Sequence, residues 1–197
     1  MSDDQKKKKD GWLEPVRTIL VAGVLALLFR SLLFEPFNIP SGSMIPTLRV
    51  GDYLFVSKYS YGYSRYSFPL GLIPFEGRVV ASQPERGDVI VFRQPGNEDV
   101  SFIKRLVGLP GDMISVKKGI LHINDKPAIR SATGEGTTSD GLRVMRYVDF
   151  DETFPDGGTH RIREVTDRGG FDNFPATAVP EGHYFMMGDN RDASNDS

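Results

Sequence analysis

The clearest hydrophobic block in the chain is VRTILVAGVLALLFRSLLF, residues 16–34, which follows a run of four lysines, Lys6 to Lys9. Nineteen helical residues at about 1.5 Å each reach roughly 28 Å, close to the ~30 Å hydrocarbon core of a bilayer. Arg30 interrupts the block, but it lies near the end, where a long side chain can carry its charge to the interface. Pro36 is expected to stop the helix. Beyond it the pattern changes to short runs rich in β-branched or aromatic residues: 52–58 (DYLFVSK), 88–93 (DVIVFR), 101–107 (SFIKRLV) and 112–118 (DMISVKK). Gly and Pro punctuate these runs, as they do between strands. VKKGILHINDKP (116–127) reads as a hairpin followed by a tight Asn-Asp turn, and 143–150, 160–166 and 183–187 are further strand candidates. The pattern predicts one membrane helix and a mainly β body of packed antiparallel sheets. SATGEGTTSDG (131–141) is expected to be a flexible surface loop. The tyrosine-rich stretch 59–75 has two readings, an aromatic surface at a bilayer interface or a long loop folded back onto a sheet.

Composition narrows the chemistry. The 197 residues suit one globular domain, or one domain with a small lobe. A net charge of −2 leaves no footprint for nucleic acid. The chain has no cysteine, which excludes disulfides and thiol nucleophiles, and its three histidines are widely spaced. No metal or cofactor is expected. The small-x-small triplet Ser41-Gly42-Ser43 resembles a signal-peptide cleavage site, but a segment holding Arg30, Glu35 and prolines separates it from the apolar core. Retention as an anchor is the expectation, with the N-terminus cytoplasmic and everything after Glu35 outside.

The same triplet suits a held nucleophile. Pro40 and Pro46 fix φ on either side, and Gly42 permits close approach of a substrate. A linker leaving the membrane is the plainer reading. A serine hydroxyl needs a base. There is no G-x-S-x-G elbow and no histidine in a recognisable triad context, which leaves a lysine held as the neutral amine. Lys104 is the candidate, because strand alternation sets it between Phe102 and Leu106. An amine removed from water favours its neutral form; a solvated edge-strand lysine is the commoner alternative. Ser101 to Lys104 also matches S-x-x-K, but on a strand and with no K-T-G following. The terminal GDNRDASNDS (188–197) departs from calcium-loop spacing at Arg191 and Ala193, and reads as a hydrogen-bonded structural loop.

Taken in order, PSGSMIPTL, GDYLFVSKYSYG, RGDVIVF, FIKRLVGLPGD and GDNRDASNDS behind an N-terminal anchor resemble the bacterial type I signal peptidases, membrane-bound Ser-Lys endopeptidases. The resemblance implies Ser43 as nucleophile and Lys104 as general base, with Ser41 and the Ser43 amide as the oxyanion hole. It implies that Ser194 orients Lys104, while Asp189, Arg191 and Asp196 support the loop. It also implies coiled antiparallel sheets of the signal-peptidase type, arranged as a basic tail (1–15), an anchor (16–35), a catalytic core (36–125), an inserted lobe (126–179) and the final motif (180–197). Its expected partners are the signal peptides of exported preproteins and the lipid bilayer, near the export translocon in the inner membrane. Two departures stand out: Ala193 replaces a frequent asparagine, and the motif stops at Ser197, before the arginine expected to pair with Asp196. The chain is therefore expected to be a fragment. Two alternatives stay open: an inactive truncated homologue that binds apolar segments, or a soluble Ser-Lys self-cleaving regulator.

Overall fold

A computed structural model describes residues 3–67, 77–139, 143–165 and 172–194, with side chains from residue 12 onward. The chain divides into two compact units, residues 1–37 with 54–83 and residues 38–53 with 84–197.

The first unit is built on α1 (Asp3–Leu32). Its stretch Trp12–Leu32 is long and apolar enough to cross a membrane, and every residue of it but Ser31 is exposed. A helix that is apolar all round belongs in a core or a bilayer. The helix ends at Leu32, ahead of Pro36, which instead lies inside β1 (Phe34–Asn38). The backbone before a proline is driven out of the α region, so Glu35 is already extended. β1 pairs with β2 (Tyr53–Ser57). Phe34 gathers Phe29, Phe55 and Tyr59 around its ring at centroid distances of 5.8, 6.5 and 5.8 Å. Lys58 caps the helix exit: its amide donates to the Leu33 carbonyl (2.9 Å) and its ammonium pairs with Glu35 (3.0 Å). In the aromatic stretch 59–75, Tyr59 and Tyr66 are exposed while Tyr61 and Tyr63 are half-buried. The Tyr63 hydroxyl donates to the Leu32 carbonyl at 2.8 Å. Residues 68–75 lie outside the described residues.

The second unit is antiparallel β throughout its three sheets. In the first, β4 (Asn97–Gly108) lies between β3 (Val89–Gln94) and β12 (Phe185–Met187). The second has the order β11-β5-β6-β7, from β5 (Met113–Lys117), β6 (Ile120–Ile123), β7 (Lys126–Pro127) and β11 (Asn173–Ala178). Asn124 and Asp125 join β6 to β7 with φ of 51° and 62°, the tight Asn-Asp turn expected from sequence. Val107, Ile114, Leu121, Ile123, Phe154 and Phe185 belong to the core these two sheets share. The third sheet has the order β10-β9-β8, from β8 (Ile129–Ser139), β9 (Val144–Thr153) and β10 (Thr159–Glu164).

Residues 131–139 form a strand and not the expected loop. β8 pairs with β9 from Ile129 to Ser139, with one irregularity between Ala132 and Gly134, while 140–142 lie outside the described residues. Most β8 side chains face solvent, so no apolar alternation marks the strand. Its order comes from the ladder with the more apolar β9, a case of strand pairing overriding composition.

Candidate active site

β4 carries Lys104 opposite Ile90 of β3. Alternation alone buries one face, yet all five residues from Lys104 to Gly108 are buried, so both faces of β4 are covered here, while β3 and β12 pair along its edges. Lys104 is 5% exposed, and its Nζ donates a hydrogen bond to Ser194 Oγ, itself 3% exposed. The serine pinning that amine comes from the loop after β12, ninety positions away.

The turn 41–43 is held from below. Met44 is fully buried, and Leu48 N–H donates to its carbonyl at 2.8 Å. Ile39 is also buried, with hydrogen bonds to the Gly51 amide (2.9 Å) and the Asp52 carbonyl (3.0 Å). This anchoring leaves Ser41 exposed and Ser43 half-buried, with their hydroxyl oxygens 3.3 Å apart.

Gly188 places the two parts together. A Cβ at this position would touch Ser194 Oγ and lie 2.6 Å from the Ser43 carbonyl oxygen. The Ser43 main chain and the partner of Lys104 therefore flank the same glycine, and only a residue without a side chain fits between them.

The loop 188–194 is fastened on several sides. Asp189 is buried and takes a bidentate pair from Arg105, Nε to Oδ1 at 2.8 Å and Nη2 to Oδ2 at 2.7 Å. Thr47 Oγ1 donates to its Oδ2 at 2.5 Å. One carboxylate thus ties the serine turn, the lysine strand and the loop. Arg163 N–H of β10 donates to the Asp189 carbonyl at 2.8 Å. Asn190 N–H donates to the Ser43 carbonyl at 2.9 Å, and its Nδ2 to the Gly42 carbonyl at 3.0 Å. Arg191 turns the other way, into the third sheet, where both its Nη atoms donate to Glu152.

Glu152 is 0% exposed and also receives Arg130 Nε at 3.0 Å, with His160 Nε2 at 3.4 Å. Burial alone would raise its pKa. Arg191, His160 and Arg130 outweigh that and hold it well below the usual carboxylate range. Burial pushes Glu164 the other way, upward, despite Arg130 at 2.9 Å. Glu152→Gln is expected to destabilise the fold by about 3 kcal/mol at pH 7, since it takes away the buried carboxylate that Arg191 and Arg130 share, while Arg130 keeps its pair with Glu164. A depressed carboxylate contributes fully above its unfolded pKa. The gap between wild type and variant should therefore hold from pH 7 to about 4.3 and narrow only as pH falls further toward the native value. Denaturant melts across that range read both.

Of the residues singled out from sequence, Ser41, Ser43, Lys104, Ser194, Asp189 and Arg191 fall in this connected region, and Asp196 lies outside the described residues. Sequence reasoning missed Gly188, Asn190, Thr47, Arg105 and Glu152. The dense polar loop pointed toward the first two, and no pattern marked Glu152.

The family model for signal peptidase, peptidase S26, matches residues 12–197. The chain is 44% identical over 204 aligned residues to the signal peptidase I of Rickettsia akari (strain Hartford), covering 100% of this chain and 74% of that protein. To the signal peptidase I of Rickettsia conorii it is 46% identical over 181 residues, covering 88% and 67%. A crystal structure of a signal peptidase I from Enterococcus faecalis is 26% identical, covers 59% of this chain and 85% of that one, and gives a TM-score of 0.32.

Proposed function

The chain belongs to the signal peptidase family, peptidase S26, and from that premise we propose that it is a membrane-anchored Ser-Lys endopeptidase that removes signal peptides from exported preproteins. The observation that carries this reading is the convergence on Gly188 of the Ser43 main chain and of Ser194, the acceptor of the Lys104 amine.

Ser43 Oγ attacks the scissile carbonyl while the Lys104 amine takes its proton. The oxyanion accepts hydrogen bonds from Ser43 N–H and the Ser41 hydroxyl. Lys104, now an ammonium, gives the proton to the leaving amine, and the C–N bond breaks to leave an ester on Ser43. Lys104 then deprotonates a water, which attacks the ester and frees the enzyme. The hydrogen bond to Ser194 takes up one amine N–H and aims the lone pair elsewhere. Asp189 and Arg191 stiffen the loop that carries Ser194.

The stretch Trp12–Leu32 supplies the anchor, and Lys6 to Lys9 keep its N-terminal end cytoplasmic. The second unit then works outside the cytoplasm, with residues 126–179 as the smaller lobe. Confining enzyme and substrate to one membrane raises their effective concentration. Small residues of the Ala-x-Ala type precede the cut. The full chain in detergent micelles should cleave such a peptide after the second alanine, and Ser43→Ala should not. Cleavage elsewhere, or an active Ser43→Ala, would refute the reading.

A further inference from the structure

Asn190 reaches both carbonyls that flank the α-carbon region of Ser43. Its backbone N–H donates to the Ser43 carbonyl at 2.9 Å, and its side-chain Nδ2 to the Gly42 carbonyl at 3.0 Å. The amide orientation follows from its neighbour, since the reversed rotamer would set Oδ1 against a carbonyl oxygen.

A peptide unit is planar and trans, so the Gly42 C=O and the Ser43 N–H share one plane and point in opposite directions. Whatever fixes the Gly42 oxygen therefore fixes the direction of the Ser43 N–H. That oxygen also accepts Ile45 N–H at 3.2 Å, but Ile45 belongs to the same turn and moves with it. Asn190 is the outside reference. It is 7% exposed, and its own position is set by Arg163 N–H on the adjacent Asp189 carbonyl at 2.8 Å. Its second bond fixes the peptide plane on the other side of Ser43, so one residue brackets both φ and ψ of the serine. A donor on the carbonyl end of a peptide also polarises the unit and strengthens its N–H as a donor.

We propose that Asn190 is a positioning residue for the oxyanion hole, aiming the Ser43 N–H at the charge that develops on the substrate carbonyl. The proposal rests on Ser43 being the nucleophile. Asn190 touches neither substrate nor reacting atoms. Its effect falls on the transition state, where the oxyanion is formed, and leaves ground-state binding alone.

The test uses the full chain in detergent micelles with an Ala-x-Ala peptide, and a peptide boronic acid as probe, whose serine adduct is tetrahedral and anionic. Asn190→Asp keeps the shape but turns an acceptor toward the Gly42 carbonyl; Asn190→Ser shortens the donor. Loss of an oxyanion donor itself costs about 10²–10³ in rate, so loss of its aim should lower kcat by roughly 10- to 100-fold in both variants. KM should stay within about twofold, and boronate affinity should fall in parallel with kcat. A kcat within about threefold of wild type overturns the proposal. So does a fall in kcat with boronate affinity unchanged, and so does failure of both variants to fold, which would make Asn190 structural. A Ser43→Ala arm keeps the two readings apart: its activity would strike the nucleophile assignment, whereas the outcomes above strike only Asn190.

Discussion

Lys104→Met and Lys104→Arg are both expected to cut peptide cleavage by about 10⁴-fold in kcat, the upper end of what a general base contributes. The two substitutions fail for different reasons. Methionine matches the lysine in length and suits a site that is 5% exposed, but it has no nitrogen lone pair to accept the Ser43 proton. Arginine keeps a cation and donors toward Ser194, yet its guanidinium does not deprotonate in a protein. If Lys104 acted only as a fixed positive charge, arginine would retain a measurable part of the activity. A base predicts that it does not. Lys104→Met should fold normally, because an apolar chain of similar volume replaces a buried amine. Cleavage rates and thermal melts of the two variants together separate lost chemistry from lost structure.

Gly188→Ala is expected to lower kcat/KM by about 10²-fold or more while the sheets stay folded. The added methyl would meet Ser194 Oγ and the Ser43 carbonyl oxygen, the latter at 2.6 Å. The backbone has little room to retreat, because Arg163, Asn190 and the Arg105–Asp189 pair hold the loop next to it. Ser194 Cβ also lies 2.5 Å from the added methyl, so a turn of the hydroxyl alone gives no relief: the chain at Ser194 must shift and carry Oγ off the Lys104 amine. A displacement of about 1 Å at a catalytic group is enough for a 10²-fold loss, whereas overpacking one methyl costs stability by only about 1–3 kcal/mol. Gly134→Ala is the control. A Cβ there meets nothing within 4 Å, so both activity and melting should stay near wild type.

The parts of the fold legible in the sequence are those whose burial is written in alternation or run length. The helix announces itself by nineteen nearly uninterrupted apolar positions, and β3 to β6 by β-branched runs between glycines. β8 does not, since its partner β9 supplies the order and its own side chains face water. β1 hides behind Pro36, a residue that argues against a strand unless it lies at an edge.

The site divides in the same way. Ser43 and Lys104 stand out because a stiff serine turn and a lysine between apolar neighbours are local features. The depth of Lys104 is not local: its amine ends against Ser194, from a loop ninety positions away. Asn190 acts across 148 residues through two hydrogen bonds, and nothing in GDNR says which carbonyls it will find. Glu152 sits in a polar run, DFDET, where its complete burial depends on guanidiniums from β8 and from the loop at 191.

The central claim is that Ser43 carries the acyl group, and the most direct test is to catch it there. The full chain is mixed with an Ala-x-Ala peptide, quenched in acid within the first turnover, digested and mapped by mass spectrometry. The account predicts the N-terminal part of the substrate, ending in the second alanine, as an ester on Ser43 Oγ. An adduct on Ser41 or another residue, or cleavage that proceeds at full rate with no ester at Ser43, would contradict it.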